Sequence, residues 1–141
     1  YVKMQWLMLQ QNEPKDFVIA TGKQYSVREF IIWSAEALGI GIDFVGTGYD
    51  EVGIVSAITG DLAPAVSVGQ EIVKIDPRYF RPSEVETLLG DPSRAKKELG
   101  WEPAITAQEM CQEMVEEDYK IARRTSILQQ YGLELPVPVE N

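Results

Sequence analysis

The sequence predicts a small mixed α/β unit, α+β-like in character, with short strands and three or four helices. Three observations carry that expectation. Two Ser/Thr-x-x-Glu capping boxes, Ser26-Val27-Arg28-Glu29 and Thr106-Ala107-Gln108-Glu109, each open a stretch of helical periodicity. Short apolar-rich stretches, among them Phe17 to Ala20, Ile42 to Val45 and Val52 to Ile58, lie close to Gly residues, as short strands do. Finally, 141 residues and 15.8 kDa with no repeat, low-complexity tract or Gly/Ser linker fit one domain spanning residues 1–141.

Taken in order, Tyr1 to Gln11 reads as a helix without an N-cap residue. Val2, Met4, Trp6, Leu7, Met8 and Leu9 cover nearly every side of it, the pattern of a helix sandwiched between layers. Such a helix wants more partners than a small domain supplies, so the chain is expected to be the C-terminal part of something larger. The helix is expected to expose apolar surface or to bury it against another copy of the chain. Asn12 to Asp16 is a turn, and Phe17 to Ala20 has the composition of a short buried strand. The helix capped by Ser26 carries Val27, Phe30, Ile31, Ser34 and Leu38 on one stripe and ends near Gly39. Ile42 to Val45 and Val52 to Ile58 are strand candidates on either side of Gly46-Thr47-Gly48.

Asp61 to Gly69 is expected to be a loop between two strands, and Glu71 to Asp76 the next strand. Pro77 to Pro82 can be neither helix interior nor central strand, because proline lacks an N–H and fixes φ. A short helix runs from Asp91-Pro92 through Leu99, stopped by Gly100. The helix capped by Thr106 extends to about Tyr131, with acidic residues early and Lys120, Arg123 and Arg124 late, an order that complements the helix dipole. The tail from Leu133 is expected to be extended or frayed.

Composition then narrows the function. The chain has no histidine, which removes the commonest general base and the commonest zinc ligand. Cys111 is the only cysteine, so neither an internal disulfide nor a cysteine-based metal cluster can form, and it reads as a small buried hydrophobe. No metal is expected. The cysteine content suits a cytoplasmic protein. A net charge of −9 disfavours nucleic acid. No apolar run approaches the ~20 residues of a membrane-spanning helix, and no signal-peptide pattern is visible.

Catalytic and cofactor motifs are missing. No window reads Gly-x-Gly-x-x-Gly, and there is no Walker A sequence, Gly-x-Ser-x-Gly elbow or calcium loop. None of the six tyrosines is followed four residues later by lysine. No catalytic residue is therefore assigned, no cofactor is expected to bind this segment, and the segment alone is expected to be inactive. The informative stretch is Asp76-Pro77-Arg78-Tyr79-Phe80-Arg81-Pro82-Ser83-Glu84-Val85-Glu86. Two arginines in a proline-stiffened loop can grip a phosphate through planar guanidinium forks. A carboxylate three residues after the second can accept from ribose hydroxyls. The competing reading is an ordinary surface Arg–Glu pair.

Phe17-Val18-Ile19-Ala20-Thr21-Gly22, Gln24-Tyr25-Ser26-Val27-Arg28 and Asp76 to Asp91 closely resemble the C-terminal half of the GDP-mannose 4,6-dehydratases. Gly100-Trp101-Glu102-Pro103, preceded by Ala95 and Leu99, resembles the ending of nucleotide-sugar short-chain dehydrogenases in general. The resemblance implies the substrate-binding lobe of a Rossmann-type enzyme whose N-terminal portion binds NADP and carries the chemistry. In that family the C4 hydroxyl of GDP-mannose is oxidised, water is eliminated across C5 and C6, and hydride returns to C6. The product is GDP-4-keto-6-deoxymannose, a precursor of GDP-fucose, so the parent would be a lyase. Carried over by residue, Arg81 would contact the diphosphate and Glu84 the ribose hydroxyls. Arg78 is a further substrate-binding candidate that can instead pair with a carboxylate of the fold. Arg28 reads as a solvated helix residue and Trp101 as a packing anchor. The implied partners are GDP-mannose or GDP and the N-terminal Rossmann domain. Two alternatives stand beside this reading: the substrate domain of a UDP- or dTDP-sugar epimerase or dehydratase, and a non-enzymatic α/β interaction module.

Overall fold

The computed structural model describes residues 1–79, 81 and 87–133. Four helices, α1 (Val2–Leu9), α2 (Val27–Ala37), α3 (Ser93–Leu99) and α4 (Ala107–Gln130), accompany a three-stranded antiparallel sheet. Its strands β1 (Ile40–Val45), β2 (Val52–Ile58) and β3 (Glu71–Lys74) lie side by side in chain order. The mixed α/β class read from the sequence is the one observed.

Both capping boxes form. Ser26 Oγ accepts from the Glu29 N–H at 3.1 Å while the Glu29 carboxylate accepts from the Ser26 N–H at 2.7 Å. Thr106 and Glu109 repeat the arrangement at 3.1 and 2.8 Å. These backbone donations, reinforced by the Ser26 and Thr106 hydroxyls, hold both carboxyls below their ordinary value of 4.5. A lowered folded-state pKa contributes stability above the unfolded value and loses it as pH falls through the folded one. Helical circular dichroism of the chain is therefore expected to weaken as pH drops from about 4.5. In Glu29→Gln and Glu109→Gln that acid slope should be shallower; an unchanged slope would dismiss the caps as its source.

The sheet and α2 enclose the core. Ala35, Ile40, Val55 and Ala63 are buried together, with Leu38, Ile42, Ile58 and Val66 packed around them. Ala63 and Val66 belong to the β2–β3 connection, so that loop folds back as a lid on the core. On α2, Phe30, Ile31, Ser34 and Leu38 are half-buried as the stripe predicts, but Val27 is 77% exposed. The helix joins β1 through Gly39, at φ +74°, whose carbonyl accepts from the Thr59 N–H at 2.7 Å. A β-carbon there would collide with the Thr59 carbonyl.

Helix α4 packs on α2. At their crossing Cys111 is fully buried, its Sγ 3.2 Å from Ser34 Oγ and 3.7 Å from the Phe30 carbonyl. Helix α3 stops at Gly100, as expected. Helix α1 buries only Met4 completely and leaves Tyr1, Val2, Trp6 and Leu9 exposed, so the expected apolar surface is present.

Three expectations need correction. Phe17 to Ala20 forms no strand: a ladder needs a second backbone, and among the described residues none pairs with it. Strand β3 ends at Lys74 instead of Asp76, because the Asp76 carboxylate turns onto the Arg78 N–H at 2.9 Å and starts a 3₁₀ turn over Pro77–Tyr79. Strand β1 begins at Ile40, two residues earlier than the pattern suggested. The tail beyond Leu133 lies outside the described residues.

Candidate functional site

The loop leaving β3 carries the arginines singled out by the sequence. Arg78 lays one edge of its guanidinium on Asp76: Nε donates to both carboxylate oxygens at 3.1 and 3.0 Å, and Nη2 donates to Oδ2 at 2.6 Å. The Tyr79 N–H adds a bond to the Asp76 carbonyl at 3.0 Å, and the Arg78 guanidinium lies 5.6 Å from the Tyr79 ring centre. The Arg78 side chain, followed by its backbone N–H, holds Asp76 below the usual carboxylate range. Arg78 therefore braces the turn, and one edge of a well-exposed fork is already committed.

Arg81 stands differently. It is exposed, and among the described residues it has no carboxylate partner. Arg28, Arg78 and Arg94 are all ion-paired, while Arg123 and Arg124, like Arg81, have no carboxylate partner among the described residues but lie on the exposed surface of α4. Within a chain of net charge −9, an exposed arginine with no carboxylate partner among the described residues is a cation available to an incoming anion. Glu84 lies outside the described residues.

The far limb of the same loop is anchored to the segment before α2. Gln24 Oε1 accepts from Thr87 Oγ1 at 2.8 Å and from the Leu88 N–H at 3.2 Å. Gly90 lies flat on Val18 and Ala20, where a β-carbon would come within 2.7 Å of Ala20 Cβ. The Asp91 carboxylate accepts from the Ser93 N–H at 2.9 Å, and Pro92 sits over Gly22. Helix α3 extends this seam: Arg94 donates to the Asp16 carbonyl at 3.3 Å, and Glu98 pairs with Lys15 at 3.1 Å. None of these long-range partners has a local signature; Gln24 and Thr87 stand 63 residues apart.

Two other features are not the site. Arg28, read as a solvated residue, instead pairs with Glu51 and stacks 5.2 Å from the Phe44 ring centre, tying α2 to the β1–β2 turn. A cavity of about 450 Å³ between α2, α4 and the sheet is lined by Ile31, Leu38, Ile40, Ile42 and Ile72, with Asp118 the one charged lining residue among the described residues. A diphosphate would find no cation there.

The Gly46–Gly48 run does not fit a dinucleotide. It leads from β1 through a 3₁₀ turn at Gly48–Asp50 into antiparallel β2, with no helix N-terminus to receive a pyrophosphate. No group of acidic or cysteine side chains that could hold a metal occurs among the described residues, and no helix there is long and apolar enough to cross a membrane.

Comparison with known proteins identifies the family. The family model for GDP-mannose 4,6 dehydratase matches residues 1–114. A GDP-mannose 4,6-dehydratase of Vibrio cholerae is 65% identical over 140 residues, 99% of this chain and 38% of the relative. That of Yersinia enterocolitica serotype O:8 is 55% identical over the whole chain and again 38% of the relative. GDP-mannose 4,6 dehydratase 2 of Caenorhabditis elegans is 48% identical over 84% of the chain and 28% of its own length. The chain thus spans well under half of the relatives it matches. With a family model covering all elements from α1 into the first turns of α4, the arginine loop included, the chain belongs to the GDP-mannose 4,6-dehydratase family.

Proposed function

We propose that residues 1–141 form the substrate-binding part of an enzyme that converts GDP-mannose to GDP-4-keto-6-deoxymannose. The observation that carries this reading is Arg81, an exposed arginine without a carboxylate partner among the described residues, two positions past a turn that Asp76 and Arg78 brace. Its planar fork is suited to the diphosphate of a GDP-sugar, and the braced loop reduces the ordering cost of binding. Arg78 contributes charge and stiffness from behind; Glu84 is assigned the ribose hydroxyls. No residue of this chain is assigned a proton- or hydride-transfer step.

NADP, the oxidant and reductant of such a reaction, belongs to a Rossmann portion that this chain does not supply. The exposed apolar side of α1 and the unladdered Phe17 to Ala20 segment are the surfaces suited to meet that portion, and α1 also offers a route to self-association. The expected compartment is the cytoplasm.

The test is direct. The complete enzyme containing this chain, supplied with NADP, is expected to turn GDP-mannose into a 4-keto-6-deoxy product recognisable by its C6 methyl resonance. UDP- and dTDP-sugars should remain unchanged under the same conditions. Turnover of a UDP- or dTDP-sugar in preference to GDP-mannose would transfer the chain to another specificity, and absence of any sugar-nucleotide turnover would end the enzymatic reading.

A further inference from the structure

Helix α4 is 24 residues long and packs on an α2 of 11, so much of its surface has no helix against it. Cys111, Val115 and Tyr119 turn toward α2 and the sheet and are buried or half-buried. About a third of a turn round the helix runs a second apolar stripe, made of Met110, Met114, Ile121, Leu128 and the C-cap residue Tyr131. Leu128 is half-buried and the other four are exposed. With Glu117 and Arg124 filling its two gaps, the stripe advances by alternate steps of four and three residues, the repeat of a seam between two helices. It runs for about 30 Å.

The order of side chains along this stripe is complementary to itself. Turned end for end about Ile121, it sets Met114 against Leu128, Met110 against Tyr131 and Glu117 against Arg124. A parallel pairing would lay Glu117 on Glu117 and Arg124 on Arg124. The whole helix repeats the preference: Glu109, Glu113, Glu116, Glu117 and Asp118 precede Lys120, Arg123 and Arg124, so antiparallel helices bring acidic halves against basic ones. Arg124 has no carboxylate partner among the described residues. Glu117 accepts from Lys120 of its own helix at 2.6 Å, and a carboxylate can accept from a second cation at the same time. We infer that two copies of this chain pair through α4, antiparallel about a two-fold axis at Ile121, with Glu117 of each copy against Arg124 of the other. The apolar stripe drives the association, and the ion pair, present twice by symmetry, fixes its direction and register.

In the complete enzyme, Ile121→Cys places two thiols together at the axis, and a short bis-maleimide is expected to convert most chains to a covalent dimer. Ser126→Cys, exposed on the other side of α4, should stay at the wild-type background. In the Ile121→Cys background, Glu117→Arg or Arg124→Glu alone sets like charges face to face twice. Each should cut the dimer yield about threefold or more, and the two together should restore it. Absence of a covalent dimer from Ile121→Cys overturns the inference. If that thiol also resists a monofunctional maleimide, another part of the same polypeptide covers the stripe, and the inference falls for that reason. Equal yields from Ile121→Cys and Ser126→Cys overturn it as random collision. So does a yield that neither single reversal lowers, or one that the double reversal fails to restore. Should Ile121→Cys fail to fold, sedimentation of the charge variants decides. Identical masses for wild type and both single reversals across a dilution series then overturn the inference.

Discussion

Arg81→Ala in the complete enzyme is expected to weaken GDP-mannose binding by about tenfold to a hundredfold. The range follows from ~1.5–3 kcal/mol for hydrogen bonds to a charged group. Arg81→Lys should recover part of the loss, because an ammonium keeps the charge without the planar fork. Arg124→Ala supplies the control. It removes another arginine without a carboxylate partner among the described residues, but one on α4, and should leave the dissociation constant unchanged. Isothermal titration with GDP and with GDP-mannose measures both. Equal affinities for wild type and Arg81→Ala would dismiss Arg81 as a diphosphate ligand. Equal losses in Arg81→Ala and Arg124→Ala would reduce the effect to net charge.

Gly39→Ala is expected to cost the fold about 2–3 kcal/mol. The left-handed backbone at φ +74° is unfavourable for alanine by ~1–2 kcal/mol. The new methyl also drives the Thr59 carbonyl away, and with it the 2.7 Å bond that closes the end of the β1–β2 ladder, worth about another 1 kcal/mol. A melting temperature lower by about 10 °C follows for a unit of this size. Gly60→Ala makes the comparison informative. Gly60 shares a left-handed φ of +75° but faces open space, so it should show the conformational cost alone. Identical melts for the two variants would exclude steric contact with Thr59 as a contributor.

The parts of this fold that sequence makes plain are those decided within a few residues. Ser26/Glu29 and Thr106/Glu109 form caps because donor and acceptor lie three positions apart, and Gly100 ends α3 for equally local reasons. The arginine pair was visible from residue type and its flanking prolines, but its chemistry was not: only resemblance separated Arg81 from an ordinary surface charge. Where contact is distant, pattern fails. The apolar run Phe17 to Ala20 has the composition of a strand, yet a strand also requires a neighbouring backbone, about which local composition says nothing. Arg28 looked solvated because Glu51 lies 23 positions away. Gln24 carried no signal at all, since its partners arrive from beyond the entire sheet.

The flat contact of Gly90 on Ala20, with Gln24 beside it, has a consequence for anyone recombining these enzymes. Residues 18–24 and 87–92 interlock as a matched pair, so a chimaera that imports a foreign arginine loop must import its opposing segment as well. A graft of one half would place an unmatched side chain where only hydrogen fits at Gly90, and altered sugar-nucleotide preference would be masked by a misseated loop. Exchange of the two stretches together is the smallest transplant the architecture tolerates.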